Sequence, residues 1–252
     1  MDLAYDGSDF WGWQRQPGRR TVQGVLEATL GQILDGPVHV TGAGRTDRGV
    51  HATGQVAHAE ARRELAPHRL GRALRALLPR DLALRRIVRS ADGFHARYDA
   101  RRRHYVYLVA DRPSPFTSRY TGPVRGSLDL AAMQAAARSL RGQHDFRPFA
   151  VRAGDIAGGL CDVERAGWST WRGGWRFTIS ADRFLMRMVR MLVGTMIEIG
   201  RGRRPPTELA ARLSGAAETL RPAAVSAGGL YLAGVGYGAG AGWEEAHAAP
   251  SG

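Results

Sequence analysis

Lysine is missing from this 252-residue chain, so all 36 of its basic residues are arginine. A Walker-type phosphate loop, which sets a lysine on the phosphates, is thereby excluded. Cysteine is almost missing too. Cys161 stands alone, which rules out an intramolecular disulfide, a CxxC redox pair and a thiolate-rich zinc site, and fits a reducing compartment. The eight histidines show no HExxH or related zinc spacing, so no metal is expected. No GxSxG nucleophile elbow occurs. Residues 42–47 place an aspartate where the dinucleotide fingerprint needs its third glycine. The longest apolar stretch, residues 188–199, is interrupted by Arg190 and is too short to span a bilayer. The first residues carry neither a basic nor an apolar leader pattern, so a cytoplasmic protein without a membrane partner is expected.

What remains is a strongly basic globular chain. The formal net charge is +13 and the hydrophobic content 44%, enough for a sizeable core. A charge excess of this size points to a polyanionic partner, nucleic acid first and an anionic membrane second. An arginine-only chain rich in alanine and glycine is also what a GC-rich genome produces, so the excess has two readings. Arginine in either case suits planar, bidentate contacts to phosphate.

Val22, Val25, Leu26, Thr29, Leu30, Ile33 and Leu34 recur at helical spacing behind Thr21, a candidate N-cap, and ahead of Gly36-Pro37. Strands are predicted at 3–5, 38–41, 55–59 and 82–88, with a second helix through Leu70, Ala73, Leu74 and Leu77 ending at Pro79. The order is β-α-β-β-α-β. The second half repeats it: a strand at 104–110, a helix over 128–140, a hairpin of 164–171 and 175–181 closed through Arg172-Gly173-Gly174, a helix over 184–200 and a strand at 230–235. An α+β fold of two ferredoxin-like split β-α-β halves with a mainly antiparallel sheet follows. The predicted divisions are 1–90, 91–240 and a flexible tail at 241–252, with the joint near 90–93. Residues 142–159 resist assignment to helix or strand, and a loop of that length is a functional or mobile candidate.

The chemistry concentrates in Gly44-Arg45-Thr46-Asp47-Arg48-Gly49-Val50-His51-Ala52. A carboxylate between two guanidiniums is favoured in its charged form, as a base or nucleophile must be. The bounding glycines let a ligand or another backbone approach. Taken alone, an aspartate after a glycine turn is most often a solvated turn residue or a helix cap. Tyr105 and Tyr107 alternate and share a face, either as core aromatics or as a stacking platform for a base. Arg183, Arg187 and Arg190 fall at i, i+4 and i+7 of the predicted helix, either as a solvated stripe or as buried guanidiniums that need a partner, for which Asp47 is the candidate. Phe94-His95-Ala96-Arg97-Tyr98, followed by Arg101-Arg102-Arg103, interleaves aromatic and basic groups as an RNA-contacting segment does. It reads equally as a basic linker. Trp11, Trp13, Gln14 and Arg15, behind Tyr5-Asp6-Gly7, carry the same ambiguity.

The 44–52 stretch, together with Tyr5-Asp6-Gly7, Gly12-Trp13-Gln14-Arg15-Gln16, Thr21-Val22-Gln23, Phe94-His95-Ala96-Arg97, Tyr105, Met188-Val189-Arg190, Val193-Gly194 and Gly228-Gly229-Leu230-Tyr231-Leu232, resembles the tRNA pseudouridine synthase A family over nearly the whole chain. The resemblance implies a pseudouridine synthase fold and conversion of uridine to pseudouridine at positions 38, 39 and 40 of the tRNA anticodon arm. It implies a homodimer that uses neither cofactor nor metal. By the same resemblance Asp47 is the nucleophile, Arg45 assists extrusion of the target nucleotide, Tyr105 stacks on the uracil and Arg190 pairs with the catalytic acid. Phe94, His95, Ala96, Arg97 and Tyr98 are then an RNA-binding segment. The chain departs from the family pattern at Arg187 and Met191, where the family has histidine and asparagine, and in the bare Ala157-Gly158-Gly159-Leu160-Cys161. A non-catalytic RNA-binding module on the same fold would have no use for an acid among arginines. A carboxylate-dependent nucleoside hydrolase would need a second acid that the sequence does not place.

Overall fold

Thr21 starts the first helix as its spacing predicts. Its side-chain oxygen accepts the Gly24 N–H at 3.2 Å, and α1 runs over Val22–Leu34 to a left-handed Asp35. A cap of this kind is worth about 1 kcal/mol. The computed structural model describes residues 1–61, 63, 65–112, 114–151, 158–216 and 223–238. The expected tail at 241–252 lies outside them, as do residues 152–157 of the stretch that resisted assignment. No helix among the described residues is long and apolar enough to cross a membrane.

The chain is α+β and forms two compact units. One comprises Met1–Arg103 and the described residues from Tyr231 onward, and the other His104–Leu230. The first unit runs β1 (Asp2–Tyr5), α1, β2 (His39–Gly42), β3 (His51–Glu60), α2 (Pro67–Leu77), β4 (Leu82–Arg86), the predicted order. Residues 90–93 lie in the coil that follows β4. In this unit β1 is antiparallel to both β3 and β4, and β2 is antiparallel to β3. β3 is twice as long as the apolar run suggested, because it begins at His51, which pairs with Tyr231, and takes in Ala52, which pairs with Tyr5 and Leu232. Leu3, Val22, Leu26, Leu30, Val40, Val56, Leu74 and Leu82 are buried beneath the two helices.

The second unit contains the later part of β5 (Ala100–Ala110), then β6 (Gly122–Pro123), α3 (Leu130–Arg138), β7 (Gly142–Asp145), β8 (Leu160–Trp171), β9 (Gly174–Ala181), α4 (Met188–Gly200) and α5 (Glu208–Leu213). β7, β8 and β9 are antiparallel, whereas β6 is parallel to β5. β7 and the short turn of Arg147–Phe149 occupy the stretch that resisted assignment, where Phe146 and Phe149 are fully buried. α4 is buried almost all round, as its apolar composition requires. Two of its glycines permit that packing: a Cβ on Gly194 would lie 2.4 Å from the Ala223 carbonyl oxygen, and one on Gly200 would lie 2.7 Å from the Met133 sulfur.

The helix predicted over 184–200 begins only at Met188. Arg187 sits at φ 61°, ψ 7°, a left-handed conformation that an ordinary residue adopts at a cost of roughly 1–2 kcal/mol. The preceding backbone is committed elsewhere. Asp182 N–H bonds the Asp162 carbonyl and Met186 carbonyl accepts from Val151 N–H, so those groups are not free to open a helical ladder. Arg183 and Arg187 therefore share no helical stripe with Arg190, which alone lies on α4. Cys161, on β8, is buried, and its thiol is pushed up to about 12 by burial and the nearby Asp182; it is inert.

The last strand, β10 (Leu230–Tyr237), returns to the first unit, where Tyr231 and Leu232 pair in parallel with His51 and Ala52. The two backbones are close enough that a Cβ on Gly54 would stand 2.3 Å from the Ala233 carbonyl oxygen. Gly54→Ala is expected to destabilise the protein by about 1–3 kcal/mol, read as a Tm loss of roughly 2–4 °C per kcal/mol. Gly36→Ala, where the added carbon meets nothing within 4 Å, is expected to leave Tm unchanged or slightly raised. Equal melting temperatures for the two variants would contradict this account of β3 and β10.

Candidate active site

Asp47 lies on the loop between β2 and β3, half-buried, with Arg45 and Arg48 exposed on either side and Thr46 buried. Its carbonyl accepts the Val50 N–H at 3.1 Å, closing a tight turn whose third residue, Gly49, has φ 77°. That geometry is a type II turn, which needs glycine at this place.

The loop is held from behind by the chain's first residues. Gly12, at φ 92°, is so close that a Cβ would fall 2.6 Å from the Thr46 carbonyl oxygen, and a Cβ on Gly7 would fall 2.0 Å from that of Val50. Trp13 N–H donates to the Thr46 carbonyl at 3.0 Å and Gly49 N–H to the Phe10 carbonyl at 3.3 Å. Beneath these, the Tyr5 hydroxyl meets Thr46 Oγ1 at 2.9 Å, and the buried Gln55 amide donates to the Gly44 carbonyl at 2.7 Å. Burial drives the Tyr5 phenol up to about 12, with the Thr46 and Gln55 bonds offsetting only part of it. Tyr5 is therefore a neutral strut and not an acid or base near neutral pH. His51 Nδ1 accepts the Gly7 N–H at 3.0 Å, and its ring stacks on Tyr231 at 4.9 Å. Gln23 and Glu27 complete the support: Gln23 Nε2 donates to Glu27 Oε1 and to the Val40 carbonyl, and Gln23 Oε1 accepts from Arg15 N–H and Gln14 Nε2.

The 94–98 segment belongs to the same unit. Arg103 fastens it, donating to the carbonyls of Arg97 and Ala100 and, at 3.1 and 3.3 Å, to the carbonyl of Ala43, next to the Asp47 loop. Ala96 is pinned from both sides, its N–H donating to His58 Nδ1 at 3.0 Å and its carbonyl accepting from the Tyr237 hydroxyl at 2.7 Å. His95 stacks on Tyr98 at 4.2 Å, and Tyr98 is 75% exposed. This segment is thus a firmly docked platform and not a loose linker.

The other two expected site residues belong to the second unit. Tyr105 is buried with its ring edge-on to Phe184 at 4.9 Å. Arg190 is half-buried on the first turn of α4, where its Nε donates to the Val225 carbonyl at 2.8 Å. Tyr107, the other face-sharing tyrosine, is a core residue. Its hydroxyl donates to the Ser226 carbonyl at 3.1 Å, and the backbones of Gly122 and Gly229 crowd its ring.

A family model described as tRNA pseudouridine synthase matches residues 3–99 and 136–238. The chain belongs to that family. Curated members of it are closely similar along their whole length. The tRNA pseudouridine synthase A of Chlorobium phaeovibrioides is 43% identical over 233 residues, covering 92% of this chain and 96% of that protein. Those of Chlorobium luteolum and Solidesulfovibrio magneticus are 43% identical over 238 residues and 42% identical over 250. Family membership makes the chain an isomerase acting on tRNA.

For a pseudouridine synthase the residues missed by sequence reasoning are those behind the loop. Tyr5 and Gly12 lie in motifs that carry the family resemblance, but nothing in their spacing shows that they brace the Asp47 loop. Gln55 looked like one polar position in an apolar strand, and Arg103 like part of a basic linker. The signal for Gln55 is a polar residue at the start of the apolar run Val56-Ala57.

Two outcomes follow from these contacts. Gly12→Ala is expected to reduce isomerisation by at least about ten-fold, because the added carbon forces the Thr46–Asp47 backbone away, and steady-state rates of the purified variant check it. His58 supplies the second. Its pKa lies below the usual 6.5, first through burial and then through His95, and Nδ1 accepts the Ala96 N–H only while unprotonated. A depressed value means the contact's contribution is complete above 6.5 and is lost as pH falls through the folded value. Protection factors of the Ala96, Arg97 and Tyr98 amides should therefore hold steady above pH 6.5 and drop as the pH falls further below it; constant protection would dissociate His58 from the docking of this segment.

Proposed function

We propose that this protein isomerises uridine to pseudouridine at positions 38, 39 and 40 of the tRNA anticodon arm, with Asp47 as the nucleophile. The observation that carries the reading is the Asp47 loop: a carboxylate between two exposed arginines on a turn braced by Gly7, Gly12, Tyr5 and Gln55. An aspartate kept only as a turn residue has no need of such bracing. The reaction breaks the ribose C1′–N1 bond and forms C1′–C5; C5 gives up a proton and N1 takes one, so neither oxidant nor energy carrier is consumed. The requirements are an anionic nucleophile and a nucleotide turned out of its stack.

Arg45, exposed beside Asp47, takes the place of the extruded nucleotide. Tyr105 stacks on the uracil and Arg190 serves the substrate site. Phe94, His95, Ala96, Arg97 and Tyr98 contact RNA, in keeping with the exposed Tyr98 ring and its firmly held backbone. The fold is that of paired ferredoxin-like halves, and the working form is a cytoplasmic homodimer. The +13 charge supplies the attraction to tRNA.

Asp47→Ala is expected to abolish pseudouridine formation, mapped in the anticodon arm of bulk tRNA, while leaving tRNA affinity within about three-fold, since affinity arises from phosphate contacts spread over the surface. Retained turnover in this variant would remove the assignment of the nucleophile. Free uracil as the product would place the chain among hydrolases.

A further inference from the structure

Trp11 holds two guanidiniums. The central carbon of Arg19 lies 3.8 Å from the ring centre and that of Arg48 3.9 Å. One face of an indole has no room for both, so the pair encloses the ring. All three residues stand on fixed backbone. Trp11 N–H donates to the Arg20 carbonyl at 2.8 Å, Gln16 Nε2 donates to the Trp11 carbonyl at 3.1 Å, and Arg19 N–H donates to the Gln16 carbonyl at 3.3 Å. Arg48 is the second residue of the turn that Asp47 opens.

Arg19 and Arg48 also differ from the arginines around them. Arg15 is paired with Glu27 and Arg20 grips Asp81 through two bonds of 2.7 and 2.9 Å. Arg19 and Arg48 are exposed and form no ion pair with any described residue. Their faces are occupied by the indole while their N–H edges remain available. Two like charges held on one ring raise the local positive potential, and stacking removes much of the freedom a guanidinium otherwise loses on binding. A planar fork of donors with a fixed orientation is matched by phosphate oxygens.

We propose that Arg19 and Arg48, clamped on Trp11, form a two-pronged site for RNA backbone phosphates next to the nucleotide presented to Asp47. This rests on the tRNA-modifying reading for the identity of the ligand. The site would keep the phosphodiester backbone still while the nucleotide beside it leaves the stack.

The test is the salt dependence of binding of the full-length protein to a tRNA transcript, by fluorescence anisotropy. Each lost phosphate contact lowers the magnitude of the log–log slope by roughly 0.7 to 0.9. The double variant Arg19→Ala/Arg48→Ala is expected to lose about 1.4 to 1.8 from the slope and to bind at least about ten-fold more weakly near 0.15 M salt. Trp11→Ala, which keeps both charges and frees them, should weaken binding by about three-fold with most of the slope retained. Arg20→Gln, whose guanidinium already serves Asp81, should leave the slope unchanged. An unchanged slope in the double variant overturns the proposal, as does an equal loss per arginine in Arg20→Gln, which would mean that charge alone matters. Should the wild-type protein bind tRNA with the expected variant slopes and yet form no pseudouridine, the phosphate site stands and the catalytic reading falls. Should it form pseudouridine while the slopes coincide, the reverse holds.

Discussion

Close apposition of two backbones governs the Asp47 loop of this protein. Gly7 and Gly12 bring residues 7–13 against residues 46–50 with no side chain between them. The position of Asp47 is thus set by main-chain geometry, the least compliant part of a protein. Everything nearby serves that apposition: Trp13 and Phe10 supply its hydrogen bonds, Tyr5 and Gln55 its buried underside, and the helix cap at Thr21 returns the chain so that Val22 and Gln23 donate to the carbonyls of Gly12 and Trp13. Buried polar groups of this sort are stable only when fully bonded, so removal of one strut leaves its partners stranded.

Much of this was legible beforehand. Helical periodicity with a capping threonine located α1 to the residue, and alternating apolar positions located β1, β2 and the β8–β9 hairpin, because burial on one face writes itself into spacing. β3 was read short, since its first residues are polar and buried by partners, not by hydropathy. β7 and α5 were not foreseen: the first is four polar residues that depend on β8 for their ladder, and the second is a single turn and a half whose Arg204–Glu208–Arg212 ion pairs hold it. The apolar periodicity of α4 extends back through residues 184–187, but its i→i+4 ladder begins only where the Arg187 carbonyl accepts the Met191 N–H.

The same distinction applies to the site. The 44–52 motif named Asp47 through its chemistry and family resemblance. What could not be read was the role of Arg103, which reached the eye as one of three consecutive arginines. Its function depends on four carbonyl contacts, to Arg97, Ala100 and twice to Ala43, and a carbonyl leaves no mark in a sequence. Tyr107 is the opposite case: its spacing permitted a platform, and only the crowding glycines reveal a core residue.

The return of β10 to the first unit sets an order of events during synthesis. His51 stacks on Tyr231, and Ala96 receives the hydroxyl of Tyr237, 141 positions further along the chain. At the ribosome those partners emerge long after the residues they hold. Until they do, β3 lacks a ladder neighbour and the 94–98 platform lacks one of its two pins, so the nascent chain carries the Asp47 loop well before its surroundings are complete. With translation at roughly 5–20 residues per second, the interval is of the order of ten seconds, during which an incomplete polycation is exposed to the cell's RNA without a finished site.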